Sequence, residues 1–398
     1  AMAAVTGNAE HPPNEPGEQE VLLAALFSLT GNWATLGQTS KEAVEIAVDD
    51  VNRYLEGNAA GLRFRVAIAD TQLEPERALE QVRALQARGA QILIGPQSSA
   101  EVAYLKPYVD ANDLLLVSHG STAGNLAISD DNVFRFTPSD VPEGAANSAM
   151  MWQDGIRTVV PVWRDDAGNA GLEMATRAAF SGLGGTVLEG VKYGTDTRDF
   201  AATPAALRAE GAPAIAAEGN EFVAVYLAAF DEVVDLFASA AADPVLSAVR
   251  WYGSNGVALS DALVSDPTAA EFAMRTGYPT PVFGRDEGAR EIWQPLVEQI
   301  RGRTGHEPDG FALAAYDAVW VVARGYTASG ATEDIERLKQ AFTTAAATHY
   351  GATGWAVLNE AGDRRYGDFD FWAIRMREGA PRWTRVAVYE ARTGRLTR

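Results

Sequence analysis

The amino-acid sequence predicts an α/β protein made of two doubly wound lobes joined by several crossing segments. Three observations carry that expectation. Short apolar stretches of strand length alternate with amphipathic stretches of helix length from about Val21 onward, which implies right-handed crossovers and a parallel sheet covered on both faces. The alternation restarts once, after Thr137-Pro138, where a proline and its predecessor favour extended backbone. The last third changes character, with long amphipathic helices and then strand-like stretches joined by turns. A chain of 398 residues is long enough for more than one core.

In the first lobe, Val21–Leu29 is an apolar run of the kind that fills a buried parallel strand. Thr39–Leu55 follows with Ala43, Val44, Ala47, Val48 and Val51 on one helical stripe. Leu62–Ala69 reads as a strand, and Glu74–Arg88 as a helix with Gly89 at its end. Strand Ile92–Ile94, helix Glu101–Ala111 and strand Leu114–Val117 complete the first series. In the second, helix Gly144–Gln153, strand Thr158–Trp163, helix Gly171–Ser181 and strand Thr186–Lys192 precede helix Phe200–Glu210. Strand Ala224–Ala228, helix Glu232–Ala241 and strand Arg250–Gly253 end it. Glu287–Arg303, Gly310–Gly325 and Ile335–Ala347 are the late helices, expected to pack on a sheet already built. Gly354–Leu358, Asp368–Met376 and Thr384–Glu390 alternate like antiparallel strands, the first two linked by a turn at Asn359-Glu-Ala-Gly-Asp363. The expected division is a disordered leader over 1–20, a first lobe over 21–138 and 279–349, and a second over 139–278 and 350–398. Late segments returning to early sheets make the connection a multi-strand hinge between two Rossmann-like lobes.

Composition excludes several function classes. Lys+Arg 33 against Asp+Glu 53 gives a formal charge of −20, which repels nucleic-acid phosphates and anionic lipid heads. Without cysteine there is no disulfide, no thiolate nucleophile and no Cys-ligated metal. No run approaches the roughly 18 apolar residues of a membrane helix. The polar leader before the first strand fits an exported chain whose signal peptide has been removed.

Searches for catalytic chemistry return little. There is no Gly-x-Ser-x-Gly elbow and no phosphate-binding P-loop. Ser181-Gly-Leu-Gly-Gly185 follows a helix and precedes a strand, the reverse of a dinucleotide fingerprint, and reads as a helix-ending turn. His11, His119, His306 and His349 are scattered, so no metal site is expected. His119 follows a strand, where a wall position is favoured over a catalytic one. Asp165-Asp166 look like a carboxylate pair, but adjacent loop residues point apart: one caps the next helix and the other is solvated. The expectation is a binding protein with no catalytic residue, no metal and no cofactor.

Small polar residues collect instead after strands. Gly95-Pro-Gln-Ser-Ser99 follows Ile94, and Ser118-His-Gly-Ser-Thr122 follows Val117. Both loops lie at the carboxyl edge of a parallel sheet, where such sheets bind ligands and where the next helix presents its positive N-terminus. Ser98, Ser99, Ser121 and Thr122 are therefore candidates to hold a carboxylate without an arginine, although Ser99 and Ser121 or Thr122 also suit helix caps. Trp33, in a glycine loop after the first strand, reads as a wall of the site. Phe230 follows a strand in the second lobe. Trp163 ends one there, and both core packing and a wall role stay open for it.

These residues lead to a family. Leu29-Thr-Gly-Asn-Trp-Ala-Thr-Leu-Gly37 resembles the opening signature of the leucine/isoleucine/valine-binding proteins, the type I periplasmic binding proteins of branched-chain amino acid ABC transporters. Ile94-Gly-Pro-Gln-Ser-Ser99, Leu116-Val-Ser-His-Gly-Ser-Thr122 and Phe134-Arg-Phe-Thr-Pro138 continue it. Trp163-Arg-Asp-Asp-Ala167, Tyr252-Gly-Ser-Asn-Gly256, Ala315-Tyr-Asp-Ala318 and Tyr350-Gly-Ala-Thr-Gly354 extend it across nearly the whole chain.

The resemblance implies a two-lobed solute receptor that captures a small carboxylate-bearing molecule, an amino acid first, by clamshell closure, and hands it to ABC transporter permease subunits outside the cytoplasm. It implies that Ser99 and Thr122 hold the ligand carboxylate, that Gly120 offers its carbonyl to an ammonium, and that Trp33 and Leu36 line the first lobe. Phe230 and Asn255 would close from the second. Two positions depart from the pattern. The family's amino acid binders usually place a glutamate where Asn255 stands, and a tyrosine where Gly168 stands. Asp231 could replace the lost carboxylate; otherwise the ligand is an aromatic or aliphatic acid or an amide without an ammonium. A ligand-sensing signalling module built on the same clamshell is a further alternative.

Overall fold

The computed structural model describes residues 19–58 and 60–398; the expected leader lies outside these, apart from Gln19 and Glu20, which open the first strand. In chain order the first series is β1 (Gln19–Phe27), α1 (Ala34–Gly57), β2 (Leu62–Asp70), α2 (Pro75–Gln86), β3 (Ile92–Ile94), α3 (Ser99–Ala111), β4 (Leu115–Ser118) and β5 (Val133–Arg135). The second is α4 (Asp140–Gln153), β6 (Thr158–Arg164), α5 (Ala167–Gly182), β7 (Thr186–Val187), β8 (Val191–Tyr193), α6 (Thr203–Glu218), β9 (Val223–Ala228), α7 (Val233–Ala240) and β10 (Arg250–Tyr252). Then come α8 (Asp261–Ser265), α9 (Pro267–Thr276), β11 (Thr280–Phe283), α10 (Arg290–Thr304), α11 (Gly310–Ala328), α12 (Ile335–Ala347), β12 (Tyr350–Gly351), β13 (Gly354–Trp355), β14 (Phe369–Arg377), β15 (Ala380–Glu390) and β16 (Arg395–Thr397).

The described chain divides into two compact units. The first comprises residues up to Thr122, Leu126–Thr137 and Arg285–Tyr366; the second comprises Ala123–Asn125, Pro138–Gly284 and Gly367–Arg398. These boundaries differ from the sequence reading over residues 123–125, 138, 279–284 and 350–366, and local bonding explains the last two. Segment 279–284 belongs to the second unit because β11 pairs antiparallel with β14 there. Segment 350–366 belongs to the first because Asp317 on α11 accepts the amide protons of Ala352 and Thr353, each at 2.8 Å.

The first unit carries a five-stranded sheet in the order β2-β1-β3-β4-β5. All its pairs are parallel, and β1 is buried from Val21 to Phe27, as its unbroken apolar run requires. The apolar stripe of α1 is buried, and Ala43 and Ile46 pack with Trp293, Leu296, Val297 and Ile300 of α10 and Leu313 of α11. The late helices of this unit thus cover α1 as well as the sheet.

The second unit carries a parallel sheet in the order β10-β9-β6, with β7 and β8 both pairing on the far side of β6. Along β9, Val223, Val225 and Leu227 join one buried cluster and Ala224, Tyr226 and Ala228 join another, so two cores flank the sheet. The expected single strand Thr186–Lys192 is two pieces. Gly190 sits between them at φ +88, with Pro161 packed so close that a Cβ would clash. The antiparallel sheet β11-β14-β15-β16 belongs to this unit, and Phe369, Phe371, Ala387 and Tyr389 pack into the cluster around Tyr226. Of the expected strand Gly354–Leu358 only Gly354–Trp355 pairs, as a hairpin with Tyr350–Gly351. β5, β11, β16 and the helix pair α8–α9 were not anticipated.

Candidate functional site

In the first unit the loops after β1, β3 and β4 are tied to one another at the carboxyl edge of the sheet. Gln97 is the tie: its Oε1 accepts the Ser28 amide proton (3.1 Å) and its Nε2 donates to the Trp33 carbonyl (2.9 Å). Ser28 Oγ donates to the Asn32 carbonyl (2.7 Å), folding the Thr30-Gly-Asn-Trp33 loop back on the strand end. Trp33 is buried at φ +60, immediately before α1, and its ring meets Phe311 edge-on at 6.1 Å. Leu36 is buried beside it. The β4 loop approaches so closely that a Cβ on Gly120 would lie 2.7 Å from the Gln97 carbonyl oxygen, so only glycine fits.

Within that frame Ser99 and Ser121 share a hydrogen bond between hydroxyls at 2.9 Å, and the Thr122 amide donates to Ser99 Oγ at 3.2 Å. Ser99, Ser121 and Thr122 are thus one cluster, at the first residue of α3 where the positive helix end lies. Ser98 is placed differently. Its hydroxyl donates to Glu101 Oε2 (2.6 Å) and accepts the Glu101 amide proton (3.2 Å), a reciprocal capping box, so Ser98 rather than Ser99 caps α3. The pattern Ser98-x-x-Glu101 was the signal for it. Ser98→Ala should cost about 1–2 kcal/mol of stability in urea unfolding while changing ligand affinity less than threefold. A large affinity loss with intact stability would return Ser98 to the ligand set.

His119 is buried with its ring edge-on to Phe27 at 5.2 Å, and burial pushes its pKa down to about 3. It stays neutral and serves as a wall behind the loop rather than as a proton carrier.

In the second unit, β6 ends at Trp163 and Arg164. The Arg164 guanidinium donates to Asp166 at 2.9 Å and lies 5.8 Å above the centre of the Phe230 ring. Asp166 caps α5, accepting the Asn169 amide proton at 2.8 Å, and Asp165 pairs with Lys192 in solvent. Trp163 is half-buried, against the core around Tyr226. Phe230 is buried after β9 and packs against Gly256, whose missing side chain makes room for the ring. Asp231 is half-buried and accepts the Ser260 hydroxyl proton at 2.6 Å.

Asn255 is buried after β10, in a setting the sequence did not reveal. Its backbone amide donates to Glu143 Oε1 (3.0 Å) and its Nδ2 to Glu143 Oε2 (2.7 Å). Glu143 comes from the first turn of α4, over a hundred residues earlier, and is itself buried. Among the described residues no three His, Cys, Asp or Glu side chains are grouped to hold a metal, and no helix is long and apolar enough to cross a membrane.

Comparison with known proteins agrees with this architecture. An uncharacterized protein of Methanocaldococcus jannaschii is 27% identical over 414 aligned positions, covering 99% of this chain and 96% of that protein. A Leu/Ile/Val-binding protein homologue of Brucella suis is 25% identical over 326 positions, covering 80% and 81%. Among solved structures, an ABC transporter solute-binding protein from R. palustris in complex with 4-hydroxybenzoate superposes with a TM-score of 0.76 at 14% identity, covering 94% of this chain and 97% of that one. The family model described as periplasmic binding protein matches residues 20–359. Spanning both parallel-sheet units as it does, that match identifies the chain as a member of the type I periplasmic binding protein family, whose members bind solutes rather than transform them.

Proposed function

We propose that this chain is the extracytoplasmic solute-binding receptor of an ABC transporter, capturing a small carboxylate-bearing molecule, in the first instance an α-amino acid, by clamshell closure. The observation that carries the reading is the cluster of Ser99, Ser121 and Thr122 at the start of α3, linked by hydrogen bonds of 2.9 and 3.2 Å at the carboxyl edge of a parallel sheet. Hydroxyls at a positive helix end suit a carboxylate. Trp33 and Leu36 in the first unit are proposed ligand contacts, as are Phe230 and Asn255 in the second, with the Gly120 carbonyl as an acceptor for an ammonium. The Brucella relative's description as a Leu/Ile/Val-binding homologue supports the amino acid, and transporter permease subunits follow as partners.

A second reading has one specific observation behind it: an amide at Asn255 where the family's amino acid binders usually carry a carboxylate. An aromatic acid without an ammonium would then fit, as in the R. palustris complex with 4-hydroxybenzoate.

A thermal-shift screen over α-amino acids, aromatic and aliphatic acids, amides and polyamines tests both. A ligand bound only by the native state adds about 2.7 kcal/mol at a hundredfold excess over its Kd. A shift with an amino acid upholds the first reading, a shift with ammonium-free acids alone the second. Catalytic turnover of the stabilising compound would overturn the receptor assignment.

A further inference from the structure

The neighbourhood of Asn255 in the second unit is unusual in its hydrogen-bonding balance. Glu143 is a buried carboxylate, and among the described residues no lysine or arginine pairs with it. Its two oxygens take the backbone N–H and one Nδ2 hydrogen of Asn255, which leaves the Oδ1 acceptor and the second Nδ2 hydrogen of that amide. One helical turn on, Asn147 donates Nδ2 to the Gly253 carbonyl at 3.2 Å, while its fully buried Oδ1 has no partner among the described residues. Asp140, buried one turn before Glu143, adds a second carboxylate on the same helix face. Tyr226 presents a buried hydroxyl on which the charges of Glu143 and Asp140 act.

The set is rich in acceptors and negative charge, and among the described residues no cation faces Glu143. A helix N-terminus tolerates acidic residues in its first turn, and a clamp on loop 253–255 needs only an acceptor, which a neutral glutamine would supply. Neither accounts for a buried carboxylate beside a second one. Burial and Asp140 together push the Glu143 carboxyl well above the usual carboxylate range. A group that brings only donors and a positive charge relieves both imbalances.

We infer that Glu143, held by the backbone amide and the side-chain Nδ2 of Asn255, supplies the negative charge that receives a cationic group of the ligand, with Asn255 Oδ1 as its direct contact. The carboxylate missing at position 255 is thus supplied one hydrogen bond further back, from α4, and Asp231 is not required for it. Glu143 is a specificity-determining residue, and the ligand class is an ammonium or amidinium compound. The inference rests on the receptor reading but not on the carboxylate end of the ligand.

The test is isothermal titration of wild type, Glu143→Gln and the double variant Glu143→Gln/Asn255→Glu. The probes are the standard α-amino acids, their ammonium-free counterparts such as isocaproate and hydrocinnamate, and the carboxylate-free diamine putrescine. Wild type should bind at least one cationic compound, and Glu143→Gln should weaken it about a hundredfold, as expected for loss of a buried charged partner. Any ammonium-free acid should change less than threefold. The double variant, which moves the carboxylate to position 255, should recover binding to within tenfold, and this recovery excludes a folding defect as the cause of the loss. Wild-type binding restricted to ammonium-free acids overturns the inference and leaves the receptor reading standing. So does wild-type affinity for the cationic compound in Glu143→Gln. Putrescine binding that depends on Glu143, without any carboxylate ligand, upholds the inference and overturns the carboxylate reading instead.

Discussion

The double substitution Ser99→Ala/Thr122→Ala should raise the dissociation constant of the ligand by about a hundredfold to ten-thousandfold while leaving the protein folded. Each hydrogen bond to a charged group contributes about 1.5–3 kcal/mol, so removing two costs about 3–6 kcal/mol, which sets that range. The fold should survive because the frame of the loops lies elsewhere, in Gln97 and in the cap formed by Ser98 and Glu101. What the double variant removes within the protein is the bond from Ser99 to Ser121 and the one from the Thr122 amide, worth about 1 kcal/mol each. Calorimetric titration with the compound found by thermal shift, set beside urea unfolding of the same samples, separates the two effects. Unchanged affinity sinks the assignment of the carboxylate end. A collapse of stability alongside lost affinity would make the cluster a structural element.

Much of the architecture was legible in the sequence because its signals are local. Val21–Leu29 reads as a buried strand from its own apolar run, and Ile335–Ala347 as a helix from its own periodicity, with bounds that the structure reproduces for the latter. The three-residue strands β5 and β16 escaped because they carry no pattern of their own and exist through their neighbours in the sheet. The same distinction governs the site. Ser99, Ser121 and Thr122 were visible because loops after parallel strands mark the ligand edge. The capping role of Ser98 is legible in the Ser98-x-x-Glu101 spacing. The partnership of Glu143 with Asn255 had no local signal, since the two lie 112 positions apart and meet only through packing of α4 against the end of β10. Asp231, proposed from sequence adjacency to Phe230, is engaged by Ser260.

Asp363→Ala should destabilise the first unit by about 3–5 kcal/mol, the largest stability effect expected of a single substitution here. Arg135 at the end of β5 is a buried arginine, its side chain 1% exposed, and Asp363 receives it in a fork: Nε to Oδ1 at 2.5 Å and a terminal nitrogen to Oδ2 at 2.6 Å. The backbone supports the fork, since the Arg135 amide donates to the Gly362 carbonyl (3.0 Å) and the Arg364 amide to the Arg135 carbonyl (2.9 Å). The pair therefore fixes segment 359–364 alongside the edge strand of the first sheet, far along the chain from where that sheet was built. Removing Asp363 leaves a guanidinium buried without its counter-charge, and that desolvation rather than lost attraction sets the cost. Replacing both partners with apolar residues, Arg135→Met/Asp363→Leu, should accordingly cost much less than Asp363→Ala alone. Urea unfolding of the three proteins decides the matter. A loss below about 1 kcal/mol in Asp363→Ala would mean that water reaches the guanidinium, and a double variant as unstable as the single would mean that the ion pair itself, and not the avoidance of an orphaned charge, holds the segment in place.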